Sequence, residues 1–222
     1  GSTVVVTGTR LPVSASGLAQ SVTVIDQNEI QRSQPARLED LLARVSGAYV
    51  DQAGATGGFA SFYMRGAENS HLLILLDGVK LNDPTTTRGS TYDLSAIDIS
   101  QIERIEVLRG PASAVYGGEA LAGVVHIITK RAVGSGLSGS GHVAVGGDHH
   151  RKLGATLALG GETMSAQLGA ARTEEGSLDA GGRLRLNSLN AALRFTPGGT
   201  LEAELFASHT ERRSDAFPDD SG

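Results

Sequence analysis

The residues with the clearest chemical potential are four charges, Glu103, Arg104, Glu106 and Arg109, all within the stretch 102–130. The residues around them are mostly β-formers, and a plain core strand rarely carries this many charges. We therefore expect these side chains either to face water or to be buried and paired with groups outside the stretch.

Enzyme motifs are missing from the sequence. It has no nucleophile elbow, P-loop or HExxH pattern. Residues 134–139 match GxGxxG, but the strand-like residues 142–147 follow them where a dinucleotide site needs a helix. We interpret residues 131–141 as a Gly/Ser linker, and the sequence does not indicate an enzyme.

Metal ligands are equally sparse, because the chain has no cysteine and its six histidines lack ligand spacing. Asp215, Asp219 and Asp220 could contribute to a calcium site, since carboxylate oxygens are the ligands that calcium prefers. We expect no required cofactor.

Composition narrows the class of protein further. The chain has 222 residues, 30 glycines, 4% aromatic residues and a net charge of −5. These values favour a β-rich protein and argue against nucleic-acid binding. The apolar runs are shorter than the roughly 20 residues of a membrane-spanning helix.

Residues 1–130 contain signals for short helices and strands. Residues 26–29 have the form of a capping box, and Leu38, Leu41, Leu42 and Val45 form one apolar helical stripe that Gly47 should stop. A buried strand is predicted over 72–76, ending in the hairpin turn Asp77-Gly78. Polar loops over 51–58 and 82–91 are long enough to be functional.

The remaining residues alternate between small apolar and polar side chains in five predicted strands. The connections Gly160-Gly161 and 196–200 are short, while 146–151, 173–183 and the tail 210–222 are longer and polar. This pattern favours an outer-membrane β-barrel over a soluble β-meander. Five strands cannot close a barrel, so we expect a truncated one.

Several segments resemble TonB-dependent outer-membrane receptors: LEDLLARVSGAYV (38–50), FYMRG (62–66), LLILLDGVKLND (72–83) and the stretch 102–130. The N-terminal TVVVTGTR resembles the family's TonB box. The resemblance implies an α+β plug domain, a small mixed sheet with short helices, followed by antiparallel strands of a truncated transmembrane β-barrel. The expected boundaries are residues 1–10 for the TonB box segment, 11–131 for the plug and 132–222 for the barrel strands.

The resemblance also implies a function, which is active uptake of a large scarce nutrient across the bacterial outer membrane. The plug would gate the barrel, with the N-terminus in the periplasm. The loop pattern is most similar to cobalamin transporters, although ferric-siderophore receptors share most of these segments. A ferric-siderophore or haem receptor, a signalling receptor and a toxin or phage attachment receptor stay open as alternatives.

Site residues follow from the same resemblance. The ligand would dock on the apical loops, and the box would add as a strand to the energy transducer TonB. Plug arginines would pair with glutamates of the barrel wall, and an arginine after the box would hold it until ligand binds. The expected ligand-loop residues are Gln52, Gly54, Thr56, Gly57, Phe59, Thr86, Arg88, Ser90 and Tyr92; those that bind TonB are Thr3, Val4, Val5, Val6 and Thr7; and those at plug–barrel contacts are Arg10, Arg65, Arg109, Glu202 and Glu204.

Overall fold

The computed structural model divides into two compact units. One is drawn from residues 1–52, 59–95 and 102–129, and the other from 53–58, 96–101 and 130–222. Within them the structure describes residues 4–5, 13–14, 21–35, 37–52, 60–64, 66–67, 71–82, 92–94, 97–131, 135–147, 149–176, 182–197 and 203–215.

The first unit contains short strands and three short helices. In chain order they are β1 (Val4–Val5), β2 (Val13–Ser14), β3 (Ser21–Ile25), α1 (Gln27–Ser33), α2 (Leu38–Leu42), β4 (Ala48–Gln52), β5 (Ala60–Met64), β6 (Leu72–Leu76), β7 (Val79–Lys80), β8 (Ile102–Arg109), α3 (Ser113–Tyr116) and β9 (Gly123–Thr129).

A five-stranded sheet in the order β3-β8-β9-β6-β7 forms the centre of this unit. The β6–β9 pair is parallel and the other pairs are antiparallel, so the predicted small mixed sheet with short helices is confirmed. β1 pairs with β2, and β4 with β5, in two separate ribbons. Most side chains of β6 and β9 are buried, as their apolar runs require, while β8 buries its apolar residues Ile102, Ile105, Val107 and Leu108.

The helices begin where the sequence predicts. The Asp26 side chain accepts a hydrogen bond of 2.8 Å from the Glu29 N–H and caps α1. The stripe of α2 is buried, but the helix ends at Leu42, so Val45 packs from the turn that follows. Gly47 adopts a φ of 77° just before β4. The prediction of a longer helix was therefore wrong, because the chain already turns at residues 43–47.

The predicted hairpin turn at Asp77-Gly78 is confirmed, and the structure shows a second close backbone approach at Gly123. Asp77 and Gly78 have φ values of 48° and 85° and join β6 to β7. A Cβ on Gly123 would lie 2.4 Å from the Leu108 carbonyl oxygen, so only glycine lets β8 and β9 pair at this point.

The second unit contains a 3-10 turn and a sheet of five longer strands. The turn is Ile99–Gln101, and the strands are β10 (Gly136–Val145), β11 (Arg151–Gly160), β12 (Met164–Gly176), β13 (Arg183–Phe195) and β14 (Ala203–Asp215). Each strand pairs antiparallel with the next. The predicted antiparallel strands are thus confirmed in number and order.

Their bounds differ from the prediction. β10 begins inside the predicted linker, and β12 and β14 continue into residues interpreted as polar loops. Backbone pairing explains both differences. Glycine and serine in β10 pair with β11 throughout, and the charged ends of β12 and β14 pair with β13. Polar composition predicted loops here because it says nothing about partner strands.

The alternation gives the sheet two unlike faces. Leu137, Leu157, Leu168, Leu193 and Leu205 define an exposed face, which we call the apolar face. Lys152, Thr156, Gln167 and Glu204 lie on the opposite, polar face. No helix in the described part of the chain is both long and apolar enough to cross a membrane.

Candidate functional site

The bases of the two predicted ligand loops meet in the first unit. Gln52, at the end of β4, pairs with Ala60 at the start of β5. The Ala60 N–H donates a hydrogen bond of 3.2 Å to Asp93 Oδ1, directly after the second loop. The neighbouring residue Tyr92 is half-buried. Burial raises the pKa of its phenol, and the negative charge of Asp93 raises it further. The hydrogen bond from Ala60 to Asp93 thus joins the described residues that follow the two loops.

Of the expected ligand residues, the structure describes only Gln52 and Tyr92. The expected roles of both residues stay predictions. Those outside the described residues are Gly54, Thr56, Gly57, Phe59, Thr86, Arg88 and Ser90.

A buried carboxyl group lies close to this region. Glu39, in the first turn of α2, is 6% exposed, and neither of its oxygens has a hydrogen-bond partner in the described structure. Burial raises its pKa from 4.5 to about 7; Arg37 opposes the shift, and Asp40 and Asp93 add to it. Burial of Glu39 could not be predicted from the sequence, because this residue lies outside the apolar stripe. It becomes buried because α2 packs against β4 and β5.

Three charges of β8 contact one another within the strand. Glu106 is fully buried, and Arg104 Nε lies 3.0 Å from its Oε1. The other end of the same guanidinium lies 3.2 Å from Glu103. One arginine thus bridges two glutamates of its own strand, and Glu103 is also partly exposed to water, which was one of the two expectations. His126 on the adjacent strand β9 pairs with Glu106. Burial lowers the pKa of His126.

Arg109 joins three segments of the first unit. Its two terminal nitrogens donate to the Ser46 carbonyl oxygen at 3.2 Å and to Ser21 Oγ at 2.6 Å. Glu204, one of its expected partners, lies 3.2 Å from Arg131 and 3.8 Å from Arg194. The expected plug–barrel role of these residues stays a prediction, and the other three residues named for it, Arg10, Arg65 and Glu202, lie outside the described residues.

A buried ion pair that the sequence did not reveal lies in the second unit. Asp98 Oδ1 is 2.6 Å from Lys152 Nζ on β11, and the two side chains are 2% and 10% exposed. The Ser100 N–H and hydroxyl donate to the same carboxylate at 3.0 and 2.7 Å. Burial alone would raise the pKa of Asp98, but Lys152 and Ser100 hold it below its usual value.

Further hydrogen bonds fix the turn beside this pair. Lys130 donates from its N–H to the Gln101 carbonyl oxygen at 2.8 Å and from Nζ to the Ser100 carbonyl oxygen at 2.7 Å. Gln167 on β12 donates to the Lys130 carbonyl oxygen at 2.7 Å. A Cβ on Gly169 would come within 2.8 Å of Gln101 Oε1, so this glycine makes room for the turn. Residues 97–101 are therefore anchored on the polar face; we call this segment the anchor.

The remaining expected sites are only partly described. Val4–Val5, within the expected TonB box, forms a strand paired with Val13–Ser14. Thr3, Val6 and Thr7 lie outside the described residues. Asp215 ends β14, while Asp219 and Asp220 lie beyond the described part. Among the described residues, no group of three His, Cys, Asp or Glu side chains could hold a metal ion.

The chain belongs to the TonB-dependent receptor family. The family model TonB-dependent Receptor Plug Domain matches residues 14–124, which is half of the chain. The first unit is thus a plug domain, and antiparallel barrel-type strands follow it.

Solved structures of siderophore receptors have the same fold. The receptor PirA from Pseudomonas aeruginosa is 26% identical (TM-score 0.64) over 86% of this chain and 34% of its own. PirA from Acinetobacter baumannii is 24% identical (TM-score 0.72), covering 87% and 32%. The outer-membrane receptor FpvA from Pseudomonas aeruginosa PAO1, bound to pyoverdine, is 18% identical (TM-score 0.76), covering 94% and 30%.

These matches indicate an outer-membrane protein, and the chain spans about a third of the length of the structures it matches. The expected similarity to cobalamin transporters finds no support among these three structures, all of which are siderophore receptors.

Proposed function

We propose that this chain forms the plug and the first wall strands of a receptor that takes up a ferric siderophore across the outer membrane with energy delivered by TonB. One observation carries the proposal: a plug-domain match over 14–124 runs directly into strands that align with siderophore receptors. The siderophore alternative therefore replaces cobalamin as the first choice of ligand.

The loop bases support a ligand site at one end of the plug. Asp93 binds Ala60, so the residues that follow the two loops are joined, and the loop sequences are rich in Gly and Thr. Backbone and hydroxyl groups of this kind provide hydrogen bonds for a large polar ligand without demanding one chemical type. The iron is cargo held by the siderophore, so the plug does not need metal ligands of its own.

Ligand class can be tested on the complete receptor in detergent with a panel of ferric catecholate, ferric hydroxamate and mixed-type siderophores, haem and cobalamin. We expect one siderophore class to bind at least about a hundredfold more tightly than cobalamin, since lost polar contacts in a built site cost several kcal/mol. Tighter binding of cobalamin or haem than of every siderophore would contradict the proposal.

Energy would reach the plug through its N-terminus. The Val4–Val5 strand precedes β3, which is an edge strand of the plug sheet paired only with β8 among the described strands. An extended segment of this kind can add to the edge of another protein's sheet, with backbone hydrogen bonds supplying most of the affinity. Pulling on it would act first on β3, at the edge of the sheet.

Strand addition predicts a specific effect of proline in the box. A peptide of residues 1–10 should bind the C-terminal domain of TonB, and Val5→Pro should weaken binding at least about tenfold, because proline removes a backbone donor and disfavours pairing. Titration calorimetry measures both affinities, and Val5→Thr, which keeps the donor and the β-branched shape, is the matched control. Equal affinity of the proline and wild-type peptides would exclude strand addition.

A further inference from the structure

A groove of about 450 Å³ crosses the apolar face of the five-stranded sheet. Its floor is made by Ala155 and Ala170, whose small side chains leave a depression between Leu153 and Leu189. At one end the lining becomes polar, with Arg172, Asn187 and Glu211, while His209 lies beside Leu189 on β14. The groove is thus apolar along its length and charged at one end.

The charged end continues into a band of arginines. Cross-strand pairing aligns Arg151, Glu174, Arg185 and Arg213 in one row on β11 to β14. The next row on the same face, on the side of the groove, contains Arg172 and Glu211. We call the arginines of these two rows, Arg151, Arg172, Arg185 and Arg213, the arginine band. It has four guanidinium groups against two carboxylates, so the charges do not cancel.

The ion pairs within the arginine band do not use all of its guanidinium N–H donors. Glu174 accepts from both Arg172 and Arg185, the latter through Nε at 3.1 Å. Glu211 accepts from Arg213 through Nε at 2.9 Å and Nη2 at 2.6 Å. Each guanidinium has five N–H donors. In the described part of the sheet, the terminal nitrogens of Arg185 are therefore open to a further acceptor.

On the other side of the groove the surface is entirely apolar. The next row contains Leu157, Leu168, Ala191 and Ala207, and the row after it Leu159, Ala166, Leu193 and Leu205. An exposed apolar area of this extent marks a surface that meets lipid or another apolar partner. An occupant of the groove must therefore combine an apolar chain with an anionic head at the arginine band.

We propose that the groove and the arginine band bind a phosphorylated lipid of the outer leaflet, with an acyl chain over Ala155 and Ala170 and a phosphate between Arg172, Arg185 and Arg213. Guanidinium groups bind phosphate oxygens in pairs, and basic residues beside an apolar belt hold anionic headgroups. The inference rests on the proposed function only in placing this sheet in the outer membrane.

The test compares a bis-phosphorylated acylated glycolipid with its dephosphorylated form, each bound to the complete receptor in detergent and counted by native mass spectrometry. The double variant Arg185→Gln/Arg213→Gln should bind the phosphorylated lipid about tenfold more weakly. The control Arg32→Gln/Arg44→Gln removes the same charge from exposed positions of the plug and should bind it like the wild type. Equal binding of both lipid forms by the wild type, or equal binding by the band variant, would overturn the proposal.

Two further arms separate the components of the site. Ala170→Leu fills the groove and should weaken binding of the lipid but not of inorganic phosphate. If this variant binds the lipid as tightly as the wild type, the acyl-chain part of the proposal is wrong. Arg185→Lys/Arg213→Lys keeps the charge and should retain more lipid than the Gln pair; retention equal to that of the Gln pair would overturn the charge argument. Siderophore affinity should be the same in all these variants, so failure of the ligand proposal leaves the lipid result interpretable.

Discussion

Replacing Asp98 with asparagine in the complete receptor should make the anchor, residues 97–101, open roughly a hundred to a few thousand times more often than in the wild type. The substitution keeps the shape of the side chain but removes the charge that faces Lys152 Nζ at 2.6 Å. Lys152 would then be a nearly buried cation without its carboxylate. Breaking a buried pair on one side costs about 3–5 kcal/mol.

Hydrogen–deuterium exchange of the peptide that contains Ser100 and Gln101 measures this opening directly. Both residues are tied into the anchor by hydrogen bonds to Asp98 and Lys130. The double variant Asp98→Asn/Lys152→Met should exchange more slowly than Asp98→Asn alone, because it leaves no uncompensated charge. Slower exchange in the double variant than in Asp98→Asn would show that the anchor is held by the paired charges. If only packing mattered, the second substitution would not slow the exchange.

An exposed pair provides the matched control. Lys80 and Glu119 also form an ion pair, but their side chains are 39% and 42% exposed. Lys80→Met should change the stability of the plug by about 0–1 kcal/mol, as for other surface pairs. Two results would contradict the role given to the buried pair. One is an Asp98→Asn variant whose anchor exchanges like that of the wild type. The other is a loss of stability in Lys80→Met as large as the loss that Asp98→Asn causes.

Glu39→Gln should remove the fall in plug stability that Glu39 causes between pH 4.5 and 8, and leave the opposite contribution of buried His126 in place. The folded-state pKa of about 7 lies above the usual 4.5, so the folded plug holds a proton that the unfolded chain releases. The contribution of Glu39 to stability is therefore highest at low pH, falls as pH rises above 4.5, and levels off above about 7. A shift of this size corresponds to roughly 3 kcal/mol.

Thermal melts and protease susceptibility of the plug in the complete receptor, measured across this pH range, test the expectation. Glu29→Gln is the control, because Glu29 is an acid of the first turn of α1 that stays partly exposed. It should leave the slope of stability against pH as it is in the wild type. The same slope of stability against pH in Glu39→Gln and in the wild type would show that Glu39 is ionised in the folded plug at little cost, which would contradict the expectation.

Local patterns predicted the local structure well. The cap at Asp26, the turn at Asp77-Gly78 and the buried run 72–76 depend on neighbouring residues, and all three are present. The strand bounds were less predictable, because β10 is held by its pairing with β11 and not by its own Gly/Ser composition. Pairing partners are distant in sequence, so composition cannot reveal them.

The same distinction separates what could be found of the site from what could not. The two polar loops were recognisable from length and composition, and their bases do meet through Asp93. The anchor depends on Asp98 and Lys152, which are 54 positions apart and carry no spacing signal. Glu39 is exposed by helical pattern and buried only because other strands cover it. Such residues become visible only once the chain is folded.

The most direct test of the account is uptake of iron from the tightest-binding ferric siderophore by cells that produce the complete receptor. We expect uptake to require TonB, and Val5→Pro to abolish uptake while leaving siderophore binding at the cell surface intact. Val5→Thr should transport like the wild type. Uptake that continues without TonB or with the proline variant, or iron uptake at background level beside rapid cobalamin uptake, would contradict it.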